Sequence, residues 1–132
     1  MAQPHEMIQA RGLITQLSTA SFLVDGDGTL VYFNEAAAEL LGISFEQAGV
    51  MESGTWGTKF RPREPGGNEI PVAELPLAKT VQGGRPAYSR MEITGADGQD
   101  HLIEVSALPI MRGEEQQGSL AIFWPAWEGD ED

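Results

Sequence analysis

Residues 22–44 read FLVDGDGTLVYFNEAAAELLGIS: two short runs of β-branched and aromatic residues around an acidic glycine turn, then an Ala-rich segment closed by Gly42. The central DGDGTL, Asp25 to Leu30, admits two readings. An EF-hand calcium loop needs oxygen ligands at its first position and a bidentate Glu at its twelfth, with glycine sixth. Setting Gly28 sixth puts Leu23 first and Asn34 twelfth, so two strong ligands are missing. A hairpin turn needs only glycine's access to positive φ between two strand-forming runs, and primed turns are the expected type. The stretch is therefore read as strand, turn, strand. Asn34 then caps a short helix over residues 35–41, Glu35 suits its positive end, and Gly42 permits a left-handed stop.

Outward from this stretch, Met7, Ile8, Ala10, Ile14 and Leu17 recur at helical spacings, which predicts an amphipathic helix over residues 4–19 despite Gly12. Ser44 caps a second short helix through Ala48. Residues 49–71 are rich in glycine and proline, with Trp56 and Phe60 as their only large anchors; they read as an irregular loop with at most a turn of helix. VAELPLAKTVQ, residues 72–82, predicts a helix starting near Leu75, with Pro76 in its first turn and Gly83-Gly84 ending it. Three strands follow. Residues 87–94 and 101–109 alternate, with Met91 and Ile93, then Ile103 and Val105, on one side. Residues 118–124 are apolar on both faces, so each face needs a cover. Helices cover one; the N-terminal helix or a second subunit must cover the other.

The 132-residue chain suits one domain with a single core. Its 20 acidic against 8 basic residues leave a net charge of -12, which opposes phosphate backbones and argues against direct nucleic-acid binding. The closing EGDED reads as a solvated acidic tail. No apolar run is long enough for a bilayer, and MAQPHEMIQARG has no secretory character, so the expected setting is cytoplasmic with no membrane partner. Without cysteine there are no disulfides, thiolate metal sites or cysteine nucleophiles.

Two strands, a group of short helices and three longer antiparallel strands is the order of a PAS domain. FLVDGDGTLVYFNEAAAELLGIS resembles the opening signature of that family. ELPLAKTVQGGRPAY resembles its long helix and the approach to its third strand, and ITGADGQDHLIEVSALPIMRGEEQQGSLAIF its closing hairpins. The resemblance implies an α+β fold: a five-stranded antiparallel sheet, short helices on one face, and an N-terminal helix on or near the other. Residues 1–19 would form a dimerisation extension, 20–125 the PAS domain and 126–132 the acidic tail. It also implies a sensory or interaction module of signal transduction. Such domains often hold a small molecule between sheet and helices, and often dimerise through an N-terminal helix.

Fold does not fix function, so chemistry is weighed separately. The family's covalent flavin photochemistry needs a cysteine and is excluded here; noncovalent flavin is not. Haem needs an axial ligand. The helix that carries the family's usual haem histidine has none here, His5 lies in the extension, and His101 begins a strand beside a turn. Met91 reads as a core filler rather than a ligand. The cofactor, if any, is unidentified. No catalytic Ser-His-Asp set, metal-ligand spacing or phosphate cradle appears, so the chain is not read as an enzyme.

A noncatalytic pocket remains. Its candidates are Val31, Phe33, Met91, Ile93, Ile103 and Val105 from the strands, Trp56, Phe60 and Leu77 from loop and helix, and Thr80 as a polar handle. The same residues would equally build a packed core without a cavity. The candidate interface is Met7, Ile8, Ile14 and Leu17 with Leu120, Ile122, Trp124 and Trp127. If the chain ends naturally at Asp132, output passes through such a surface, to a second copy or a signalling partner. Alternatives are a purely structural dimerisation module with a full core and, less expected, a small enzyme using the same cavity.

Overall fold

The computed structural model describes residues 4–126. The chain opens with α1 (His5–Thr15), followed by β1 (Ala20–Asp25) and β2 (Leu30–Phe33). Four short helices follow: α2 (Glu35–Leu41), α3 (Phe45–Ala48), α4 (Ser53–Lys59) and, after a 3₁₀ turn at Val72–Glu74, α5 (Pro76–Gly83). β3 (Ala87–Thr94), β4 (Asp100–Arg112) and β5 (Glu115–Pro125) complete it. The five strands form one sheet in the order β2-β1-β5-β4-β3. Every neighbouring pair is antiparallel. This is the α+β architecture expected from the sequence.

The DG hairpin forms, but not with a primed turn. Gly28 alone takes a left-handed conformation, at φ 84°. Its N–H donates to the Asp25 carbonyl, and the Asp25 N–H donates to the Thr29 carbonyl. The Asp25 carboxylate accepts from the amides of Asp27 and Thr29, at 2.9 and 3.1 Å. A three-residue loop with one left-handed glycine is the next most common way to join two strands. Asp25 is thereby occupied in holding the turn.

β5 is central, so both of its faces must be accounted for. Ser119, Ala121 and Phe123 are buried on the helical side. On the opposite side α1 lies across the sheet, and its Met7 and Ile14 are fully buried with Leu23 of β1; Leu120, Ile110 and Val31 pack against them. The approach is close because residue 118 is glycine: a Cβ there would stand 2.5 Å from the Met7 sulfur and 2.4 Å from the Val24 carbonyl oxygen. The chain's own N-terminal helix therefore covers part of the outer face.

Several elements differ from the sequence reading. α1 stops at Thr15, because the Asn34 amide takes hold of the carbonyls of Ile14 and Thr19 on either side of its end. The apolar stripe of α1 is also split. Met7, Ala10 and Ile14 face the sheet, whereas Ile8 and Leu17 are exposed. The segment read as loop contains α4, nearly two turns long, since Trp56 and Phe60 sit four apart and both anchor in the core. β4 runs through Pro109, which pairs with Ser119 two residues beyond the last β3 partner, Ala107. A residue without an N–H is tolerated there because the β3 side of β4 is open.

An apolar cavity between sheet and helices

The main core lies between the sheet and α2, α4 and α5, and it holds a cavity of about 70 Å³ that is partly open to solvent. The floor is sheet: Phe22 of β1, Met91 and Ile93 of β3, Ile103 and Val105 of β4, Ala121 and Phe123 of β5. The roof is Leu41 of α2, Trp56 and Phe60 of or next to α4, Pro62, and the Leu75-Pro76-Leu77 start of α5. The local sequence explains each placement. Alternation turns Met91, Ile93, Ile103 and Val105 inward together, because Met91 pairs with Ile103 and Ser89 with Val105 in register. Pro76 occupies the first helical turn of α5, where a missing N–H costs nothing, and so brings Leu75 and Leu77 to the roof.

Trp56 ties the roof to the hairpin. Its indole N–H donates to the Gly28 carbonyl at 2.8 Å, so the ring lends the cavity only carbon. α4 and the 3₁₀ turn meet at a glycine: a Cβ at Gly57 would lie 2.8 Å from both Val72 methyls. Phe22 meets Phe123 edge-on with ring centroids 5.1 Å apart and Phe33 at 5.5 Å, which stiffens the floor at β1 and β5.

Seven pocket candidates thus meet around this space: Trp56, Phe60, Leu77, Met91, Ile93, Ile103 and Val105. Three do not. Val31 packs on the outer side with the α1 cluster, because the register of β1 and β2 shifts at Leu23–Val24 and breaks the alternation used to place it. Phe33 is buried but stacks against Phe22 and Phe45, away from the cavity. The buried Thr80 hydroxyl donates to the Arg85 carbonyl at 2.9 Å, closing the bend after α5 instead of serving a ligand. The sequence reading missed Phe22, Leu41, Pro62, Leu75, Pro76, Ala121 and Phe123. Phe22, Ala121 and Phe123 were legible in principle, since the antiparallel register brings Phe22 opposite Ala121.

Of the interface candidates, Met7 and Ile14 are spent on the chain's own sheet. Ile8 (55% exposed) lies on the free side of α1, Leu17 (36%) lies in the link just after it, Leu120 and Ile122 are half-buried, and Trp124 is 38% exposed. Trp127 lies outside the described residues. Tyr88 and Leu108 are also exposed apolar residues, and the outward side of β3–β5 carries both with Trp124. His101 lines a separate open groove with Ser18, Thr19, Glu39 and Trp124, and its Nε2 is buried without a hydrogen-bond partner among the described residues. No group of three or more His, Asp or Glu suited to a metal occurs among the described residues. No helix among them is long and apolar enough to cross a membrane.

Asn34 joins the helical layer to α1. The Asn34 side-chain oxygen accepts from the Ser21 amide (3.1 Å) and from the Ala37 amide (3.0 Å), capping α2. Its amide nitrogen donates to the carbonyls of Ile14 (2.8 Å) and Thr19 (2.9 Å). All four hydrogen-bonding sites of this buried side chain are satisfied. α1 is further held by an ion pair of Glu6 with Arg112, 2.9 Å apart. Midway along α1, Arg11 stacks over the Tyr32 ring at 4.2 Å.

A family model described as the PAS fold matches residues 7–48. The match spans α1, the hairpin, α2 and α3, and the rest of the architecture agrees with it. The chain has the PAS fold. Among solved structures, the Rhodobacter sphaeroides LOV protein is similar with a TM-score of 0.73 at 14% identity, over 97% of this chain and 71% of that one. The PAS domain of Bordetella pertussis BvgS is similar with a TM-score of 0.61 at 15% identity, over 94% and 88%. The PAS domain of nitrogen regulation protein NR(II) from Vibrio parahaemolyticus has a TM-score of 0.61 at 19% identity, over 89% and 97%. No curated protein matches the sequence. Identities this low carry the fold and nothing finer.

Within the PAS fold, flavin and haem are the cofactors to test for fit. Pockets that hold drug-sized ligands run from roughly 300 Å³ upward and place a few polar groups against them. A cavity of about 70 Å³ with an apolar lining fits neither an isoalloxazine nor a porphyrin.

Proposed function

We propose that this PAS domain is a regulatory sensing module, in which the filling of the core cavity biases how α1 packs on the opposite face of the sheet. The observation that carries the reading is shared strands. Phe22 of β1 and Ala121 and Phe123 of β5 form the cavity floor. Leu23 and Leu120, their immediate neighbours in the chain, receive α1 on the other side. One strand thickness separates the two events, and Asn34 links the helical layer to the end of α1 by hydrogen bonds. A ligand changes the balance of two packings only to the extent that it prefers one of them. The regulatory reading agrees with the name of the similar Vibrio protein, a nitrogen regulation protein. It needs no catalytic residue. A cytoplasmic setting is proposed with it. The test is thermal unfolding against a metabolite panel: a binder raises the midpoint in a concentration-dependent way. A flat response across polar and apolar compounds alike contradicts the sensing role.

A second reading, dimerisation without a ligand, is favoured by the outward apolar side chains Tyr88, Leu108 and Trp124, next to a helix that exposes Ile8 and Leu13. A second copy laid against this surface would cover both. Solution mass with and without residues 1–19 tests the arrangement. A homodimer that becomes monomeric supports it, and an unchanged dimer removes the helix from the interface.

A further inference from the structure

Resting on the sensing role just proposed, we infer that the core cavity takes a small, uncharged, wholly apolar molecule, an apolar gas or short hydrocarbon, bound without any hydrogen bond. The lining dictates the class. Among the lining side chains only Trp56 carries an N–H, and it is committed to Gly28; the nearby Thr80 hydroxyl is committed to Arg85. A polar ligand would leave its own groups unpaired in this space, which costs more than its carbon skeleton gains. Water is disfavoured for the same reason, since a buried water needs two to four polar partners, and apolar cavities stay dry. Size sets the upper limit. An engineered apolar cavity of roughly 150 Å³ holds benzene, so about 70 Å³ corresponds to about three carbon atoms. Met91, unbranched and at the cavity wall, is the side chain best able to adjust to such a guest.

Xenon is the probe of choice, because it is uncharged, monatomic and bound by dispersion alone. Methyl spectra of the full chain under increasing xenon pressure should show saturable shifts at Met91, Ile93, Ile103 and Val105, and none at the outer-face methyls of Leu108. Ala121→Val fills the space from the floor and should abolish those shifts; Val105→Leu does the same from β4 if the first variant folds poorly. Flavin mononucleotide and haem should leave the methyls unmoved in the parent protein. Absence of xenon shifts at the cavity methyls overturns the inference. If xenon fails while a polar metabolite moves the same methyls and raises the unfolding midpoint, the ligand class is wrong and the sensing role stands. If nothing moves them, both fall.

Discussion

Asn34 carries more of the structure than its single position suggests. It caps α2 through its oxygen and secures the end of α1 through its nitrogen, so its two ends serve different elements. Replacing it by alanine removes the cap and leaves the buried Ile14 carbonyl without that donor, a loss of about 2–3 kcal/mol of unfolding free energy in denaturant titrations. Asn34→Asp separates the two roles. A carboxylate still accepts from the Ala37 and Ser21 amides but faces the carbonyls of Ile14 and Thr19 with no proton to give. This variant should keep α2 protected from hydrogen exchange while the last turn of α1 exchanges faster. Equal loss of protection in both helices would show that Asn34 does not distinguish them. The sequence reading found the cap, because Asn before an Ala-rich helix is a local signal. The long-range half, reaching back twenty residues to Ile14, has no local signature and could not be read.

At the scale of elements, α1 is fastened at both ends and in its middle, and one fastening depends on pH. The hydrogen bond from Arg112 holds the Glu6 carboxyl below its ordinary value of 4.5, outweighing the opposing effect of burial. A carboxyl whose folded-state pKa is depressed stabilises the folded state above its unfolded value and loses that contribution as pH falls through the folded value. Docking of α1 is therefore complete at neutral pH and weakens in acid below about 4.5. Glu6 is half-buried but Arg112 is exposed, so solvent screens the pair and the effect is small. In the Arg112→Gln variant, α1 exchange should depend less on pH over that range; an unchanged acid response would assign it to another carboxyl. Periodicity revealed that α1 exists, but not which side faces the sheet. Ile8 and Leu17 looked as apolar as Met7 and Ile14, and only Gly118 on a distant strand selects Met7. α4 was hidden for a related reason. SGTWGTK has poor intrinsic helix propensity, and it is helical because Trp56 and Phe60 find the core. The strands were the most legible elements, since alternation is local and register then follows from short turns. Where register shifts, at Leu23–Val24, the reading of Val31 failed.

The whole molecule is a sheet with work on both faces: an apolar cavity under the helices, α1 on the reverse, and an exposed apolar area beside it. The proposed function requires the two faces to communicate through β1 and β5. The most direct measurement is hydrogen exchange of the α1 amides in the parent protein and in Ala121→Val, where the side chain itself occupies the cavity without any ligand. Filling the floor should restrain β1 and β5 and slow exchange across residues 8–15 on the far side. Unchanged α1 exchange, with cavity methyl signals visibly altered, would contradict the account.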